Sequence, residues 1–177
     1  MLKSTKLKNT LIACTTILFV SCSGQKEIKM GTYAYDARFL KEHGIEYKEL
    51  VSADGNSKVM LIPAWQGRVM TTSASGDEGD SYGWINYRFI NEGKVSTQFN
   101  PVGGEERFWL GPEGGPFSLY FKEGQEQVYD NWVVPAVLDT EAFDIKSQSD
   151  NSIRFVKDTR LENASGTIFN MNIDRTV

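Results

Sequence analysis

The stretch Tyr47-Lys48-Glu49-Leu50-Val51, then Ser52-Ala53-Asp54-Gly55-Asn56-Ser57, then Lys58-Val59-Met60-Leu61-Ile62 decides the fold. Two short runs suited to strands flank Asp54-Gly55-Asn56, whose residues tolerate the backbone angles of a tight turn, so the segment predicts a β-hairpin. Working outward, Arg68–Ser73, Phe117–Phe121, Phe143–Ser147, Ile153–Lys157 and Thr167–Val177 are further strand candidates, separated by Gly, Asp, Asn and Ser. Repeated short strands with turns predict a mostly β chain, an antiparallel β-sandwich.

One helix is predicted before the hairpin, from Asp36 to His43, with Asp36 as N-cap, Phe39 and Leu40 on an apolar face and Gly44 as the stop. Near the other end, Phe169, Met171, Ile173 and Val177 alternate with Asn170, Asn172, Asp174 and Thr176, the pattern of a half-buried strand. That last strand has no sequence-adjacent partner to cover its edge. The expectation is therefore that residues 31–177 form the N-terminal part of a longer β-sandwich domain.

Lys3, Lys6 and Lys8 precede the apolar run Leu11 to Val20, which is too short to span a bilayer and reads as an export signal. Phe19-Val20-Ser21-Cys22 has the form of a lipobox, so residues 1–21 are expected to be removed as a lipoprotein signal peptide and Cys22 to be lipidated. Ordinary secretion with Cys22 as a stray thiol is the alternative. Residues 22–30 then serve as a tether, and the expected location is the bacterial cell envelope, at the outer membrane or periplasmic face. With Cys14 inside the removed run, Cys22 is the single cysteine left and stability must come from the core.

Loss of residues 1–21 removes three lysines and no acids, moving the formal charge from -4 to -7. Nucleic-acid binding needs clustered Lys and Arg to neutralise phosphates, and no such stripe is present, so that class is excluded. The expected partners are a membrane, through the lipid, and a saccharide ligand. Cysteine and histidine are too few for a zinc site, and Asp77-Glu78-Gly79-Asp80 reads as a solvated turn before it reads as a calcium loop. No metal or cofactor is expected.

Gly103 to Gly115 reads Gly-Gly-Glu-Glu-Arg-Phe-Trp-Leu-Gly-Pro-Glu-Gly-Gly. Glycine pairs at both ends predict two tight turns around a short strand at Phe108-Trp109-Leu110, presenting Glu105, Glu106, Arg107 and Glu113 from fixed backbone. Together with Tyr33-Ala34-Tyr35-Asp36, Phe39-Leu40-Lys41, Ile62 to Thr71, Gly83-Trp84-Ile85-Asn86-Tyr87 and Pro135 to Phe143, this segment resembles an uncharacterised family of bacterial exported proteins. The resemblance runs from about Gly31 to the C-terminus. That family is similar in fold to the galactose mutarotase-like β-supersandwich, which implies a saccharide on a concave sheet face and a continuation by another sheet.

Trp65, Trp84, Trp109 and Trp132, with Tyr82, Tyr87 and Tyr120, offer faces for the C–H side of a sugar ring, and polar groups nearby can bond its hydroxyls. The predicted ligand-binding set is Arg68, Trp84, Asn86, Glu105, Arg107, Trp109 and Glu113. A structural reading competes: Arg107 pairs with a carboxylate, and Glu113 caps a turn. The sole histidine, His43, falls at the predicted helix end, where capping is its expected role, and the general acid and base of a mutarotase are assigned to no residue. Glycoside hydrolysis needs two carboxyls about 5 Å apart or wider, for which Glu105 or Glu106 with Glu113 are the compact candidates. Two functions follow, a carbohydrate-binding or carbohydrate-processing envelope lipoprotein and a non-enzymatic envelope scaffold or protein-interaction lipoprotein.

Overall fold

The computed structural model describes residues 27–177, so the export signal and Cys22 lie outside the described residues. The chain is mainly β and sandwich-like. One antiparallel sheet holds β1 (Lys48–Val51), β2 (Lys58–Ile62) and β3 (Arg68–Ser73) in the order β1-β2-β3; the other holds β4 (Asp144–Gln148), β5 (Ile153–Glu162) and β6 (Ile168–Thr176) in the order β4-β5-β6.

The β1–β2 turn closes as its residues dictate. Gly55 takes φ +74, Ser52 N–H donates to the Ser57 carbonyl, and Asp54 Oδ1 accepts from Asn56 N–H at 3.0 Å. Bonds first from the Ser52 hydroxyl and then from Asn56 hold the Asp54 carboxyl down at about 2.

Strand β2 places successive side chains on opposite faces. Met60 and Ile62 join Met70, Tyr33, Phe39 and Leu40 in one core cluster beneath the helix, whereas Leu61 joins Phe143, Ile153, Phe155 and Ile173 in the other. Both faces of the first sheet are thereby covered. A bulge helps: Met60 pairs with Thr71 but Leu61 pairs with Val69, so Met70 is the extra residue.

Helix α1 (Tyr33–Glu42) starts three residues before the predicted Asp36. Thr32 is the N-cap, its hydroxyl accepting from Tyr35 N–H at 3.3 Å, while the carbonyls of Asp77 and Gly79 accept from Ala34 and Tyr33 N–H. His43 ends the helix, as expected, with Nδ1 2.7 Å from the Phe39 carbonyl. A second helix, α2 (Tyr87–Glu92), is not legible as one in sequence; six residues are too few to show helical periodicity. Two predicted strands are absent. Phe117–Phe121 is a loop with Ser118, Tyr120 and Phe121 buried and Phe117 exposed, in which Ser118 Oγ accepts from Tyr120 N–H, and Phe108-Trp109-Leu110 has no ladder partner.

Asp36 is not a cap. It is buried, and both of its oxygens accept bonds, from the Ser81 and Tyr87 hydroxyls. Burial pushes its carboxyl up, against the lowering effect of those two hydroxyls. A raised folded-state value means that the native state holds the proton more tightly, so Asp36 makes stability fall as pH rises from about 3.9. Asp54 and Asp174, both lowered, act oppositely and below that range, where acidification removes their contribution. Asp36→Asn is expected to flatten the decline above pH 4, measured by urea unfolding at several pH values; an unchanged slope refutes it.

Candidate functional site

The glycine-rich segment is docked, not free. Gly104 N–H donates to the Trp84 carbonyl at 2.8 Å and Glu105 N–H to the Val69 carbonyl at 3.0 Å, so residues 103–106 lie between the edge of β3 and Trp84–Ile85. Glycine is required twice. A Cβ at Gly103 would sit 2.1 Å from the Trp84 carbonyl oxygen and one at Gly104 2.6 Å from Arg68 Cδ, and both residues have φ above +100.

The seven predicted ligand residues fall into two groups. Arg68, Trp84, Asn86 and Glu105 surround Gly103-Gly104. Arg68 is 1% exposed and donates to the Gly103 carbonyl at 2.6 Å and to Gln66 Oε1 at 3.1 Å. Burial, with the Arg107 charge adding, lowers its guanidinium to about 10. Asn86 is the N-cap of α2, accepting from Phe89 N–H at 3.2 Å and donating to the Pro101 carbonyl at 2.9 Å. Arg68 and Asn86 thus use their polar groups to hold the segment in place.

Trp84 and Glu105 face solvent. Trp84 is 62% exposed and Tyr82, two residues earlier, 61%. Their backbone is fixed: Tyr82 N–H donates to the Thr72 carbonyl at 3.1 Å, and the Trp84 carbonyl takes Gly104. Glu105 Oε1 accepts from Thr72 N–H at 2.6 Å and from its hydroxyl at 2.9 Å, which clamps the carboxylate on the edge of β3. Thr72 is a positioning residue the sequence does not reveal, since 33 residues separate it from Glu105.

Arg107, Trp109 and Glu113 form the second group. The Arg107 guanidinium lies 4.2 Å from the Trp109 ring centre and 4.9 Å from that of Phe99, donates to the Leu138 carbonyl at 2.6 Å and sits 3.6 Å from Asp139 Oδ1. Burial lowers its pKa and Asp139 opposes that. Trp109 Nε1–H donates to Glu113 Oε1 at 2.8 Å. Beyond Trp109 the rings of Tyr120, Trp132 and Tyr129 follow at 5.3, 5.6 and 6.3 Å, the last two contacts stacked. This aromatic column spans three loops and joins them.

The carboxylates considered for hydrolysis each have a partner: Thr72 for Glu105, Arg175 for Glu106 at 2.6 Å, and Trp109 for Glu113. Cavities of about 400 and 710 Å³ are lined by other residues. Among the described residues no group of three or more His, Cys, Asp or Glu is placed to hold a metal, and no helix is long and apolar enough to cross a membrane.

Residues 31–177 match the model of DUF6786, described as a family of unknown function. No curated protein and no solved structure matches the chain.

Proposed function

We propose, for a chain that belongs to the DUF6786 family of unknown function, a lipid-anchored envelope protein that binds carbohydrate on the open surface at Tyr82, Trp84, Thr72 and Glu105. The observation that carries this reading is the exposure of Trp84 on a backbone bonded from both sides. An indole left in water forgoes the gain of burial, and a rigid one offers a flat apolar face at little entropic cost when a sugar ring stacks on it. Glu105, held by Thr72, accepts a sugar hydroxyl beside that face. The likeness to the mutarotase-like supersandwich supports the same ligand class as a fold-level analogy. The order Lys3, Lys6, Lys8, apolar run and Cys22 supports the anchor.

Scaffolding is the second reading, favoured by the Arg107–Trp109–Glu113 group, whose polar and aromatic contacts are made within the chain. The two readings apportion the predicted residues differently: Trp84 and Glu105 to ligand, Arg107, Trp109 and Glu113 to support.

Titration with an oligosaccharide panel, followed by tryptophan fluorescence, tests the proposal. A saturable blue shift is expected, with affinity reduced at least about tenfold, or 1.4 kcal/mol, in Trp84→Ala. Silence across the panel, or affinity unchanged in that variant, refutes it.

A further inference from the structure

We propose that the cavity between the end of α1, helix α2 and the turn at Thr140 is a second ligand site, built for one acidic sugar ring, a hexuronate. It concerns residues other than the Trp84 surface and does not depend on it. The volume, about 400 Å³, falls in the range of small-molecule sites. Trp65 and Phe89 supply apolar wall, and Trp65 is steadied by packing on the core cluster under α1.

The polar floor is rigid. Asn100 and Asp139 are 6% and 4% exposed, and both line the cavity. Asp139 Oδ2 takes Asn100 N–H at 3.0 Å and Asn100 Nδ2–H at 2.7 Å. Oδ1 has only long contacts, 3.3 Å to Asn100 N and 3.6 Å to Arg107, so it retains capacity to accept a ligand hydroxyl. A carboxylate fixed in this way discriminates by geometry and needs no reorganisation when ligand arrives.

Charge decides the kind of sugar. Arg107 already offsets Asp139, and His43 has both ring nitrogens engaged, by the Phe39 carbonyl and Asn91 Oδ1, which leaves it as wall. Lys94 is exposed on the lining, and among the described residues no carboxylate lies within ion-pair distance of it. An ammonium beside a rigid acceptor and an indole face suits a ring that carries hydroxyls and one carboxylate.

Calorimetric titration of the full chain with glucuronate and galacturonate, against glucose, galactose and acetate, tests this. One uronate is expected to bind saturably and at least about tenfold more tightly than its neutral counterpart, and Lys94→Ala, an exposed change, is expected to reduce that preference to within about threefold. Uronate affinity follows Lys94 whichever way the Trp84→Ala titration comes out. Absence of uronate binding at millimolar concentration, equal affinity for the neutral hexose or for acetate, or full affinity in Lys94→Ala with an unchanged far-UV spectrum overturns the proposal.

Discussion

Phe155→Ala is expected to lower the free energy of unfolding by about 3–5 kcal/mol, the range for deleting a fully buried aromatic side chain. Phe155 is 0% exposed and belongs to the cluster that joins Leu61 of the first sheet to Phe143, Ile153 and Ile173 around the second. It also meets the first sheet at Gly67, where a Cβ would stand 2.5 Å from the ring. Phe155 thus fastens the two sheets together. With total stability of a domain at about 5–15 kcal/mol, the loss brings the chain close to unfolding, measured as a shift in urea midpoint. Gly67→Ala is expected to be costly on its own, because φ is +61 and the ring is in the way, and less costly when combined with Phe155→Ala, which removes the clash. Strict additivity of the two changes, or a Phe155→Ala effect below about 1 kcal/mol, places the sheet-to-sheet contact elsewhere.

The strands of the first sheet were legible because each carries its own signal. Lys58–Ile62 and Arg68–Ser73 form strands at the boundaries read from sequence, since apolar and β-branched residues lie between turn residues. Strand β5 runs on to Glu162, past the expected Lys157, because Asp158, Arg160 and Glu162 lie in a mostly exposed ribbon with β6, where pairing continues without an apolar alternation to announce it. Phe117–Phe121 was misleading for the opposite reason. Its Tyr120 and Phe121 side chains are buried by loop packing, the Tyr120 ring between Trp109 and Trp132, while Phe117 is exposed, so composition resembled a strand where no ladder forms.

The site was legible in part. Gly103 and Gly104 are needed for close approach, as their pairing suggested, yet the partners that position the charged residues, Thr72, Asn100 and Asp139, lie 32 to 39 residues from the groups they bond or orient. Separation of that size leaves no local pattern. Asp36 illustrates the same limit: as a residue before an apolar run it reads as a cap, and only the distant hydroxyls of Ser81 and Tyr87 make its burial tolerable.

Arg107→Ala is expected to cost about 3 kcal/mol, because it takes one donor from the Leu138 carbonyl and the cation from a buried Asp139 while emptying space beside Trp109 and Phe99. Arg107→Lys keeps the charge but lacks the planar fork that reaches carbonyl, carboxylate and ring faces at once, so it recovers a fraction of the loss. The double variant Arg107→Ala/Asp139→Asn separates charge from packing: if the orphaned carboxylate dominates, the second change adds less than it costs alone, and the coupling gives its weight. Denaturant unfolding measures all of these, and glycan titration of whatever remains folded assigns the residue. Loss of stability with ligand affinity retained identifies Arg107 as the pin that holds the loops at Phe99, Trp109 and Leu138 together. Unchanged stability with affinity lost would return Arg107 to the ligand surface and remove the ground for the scaffold reading.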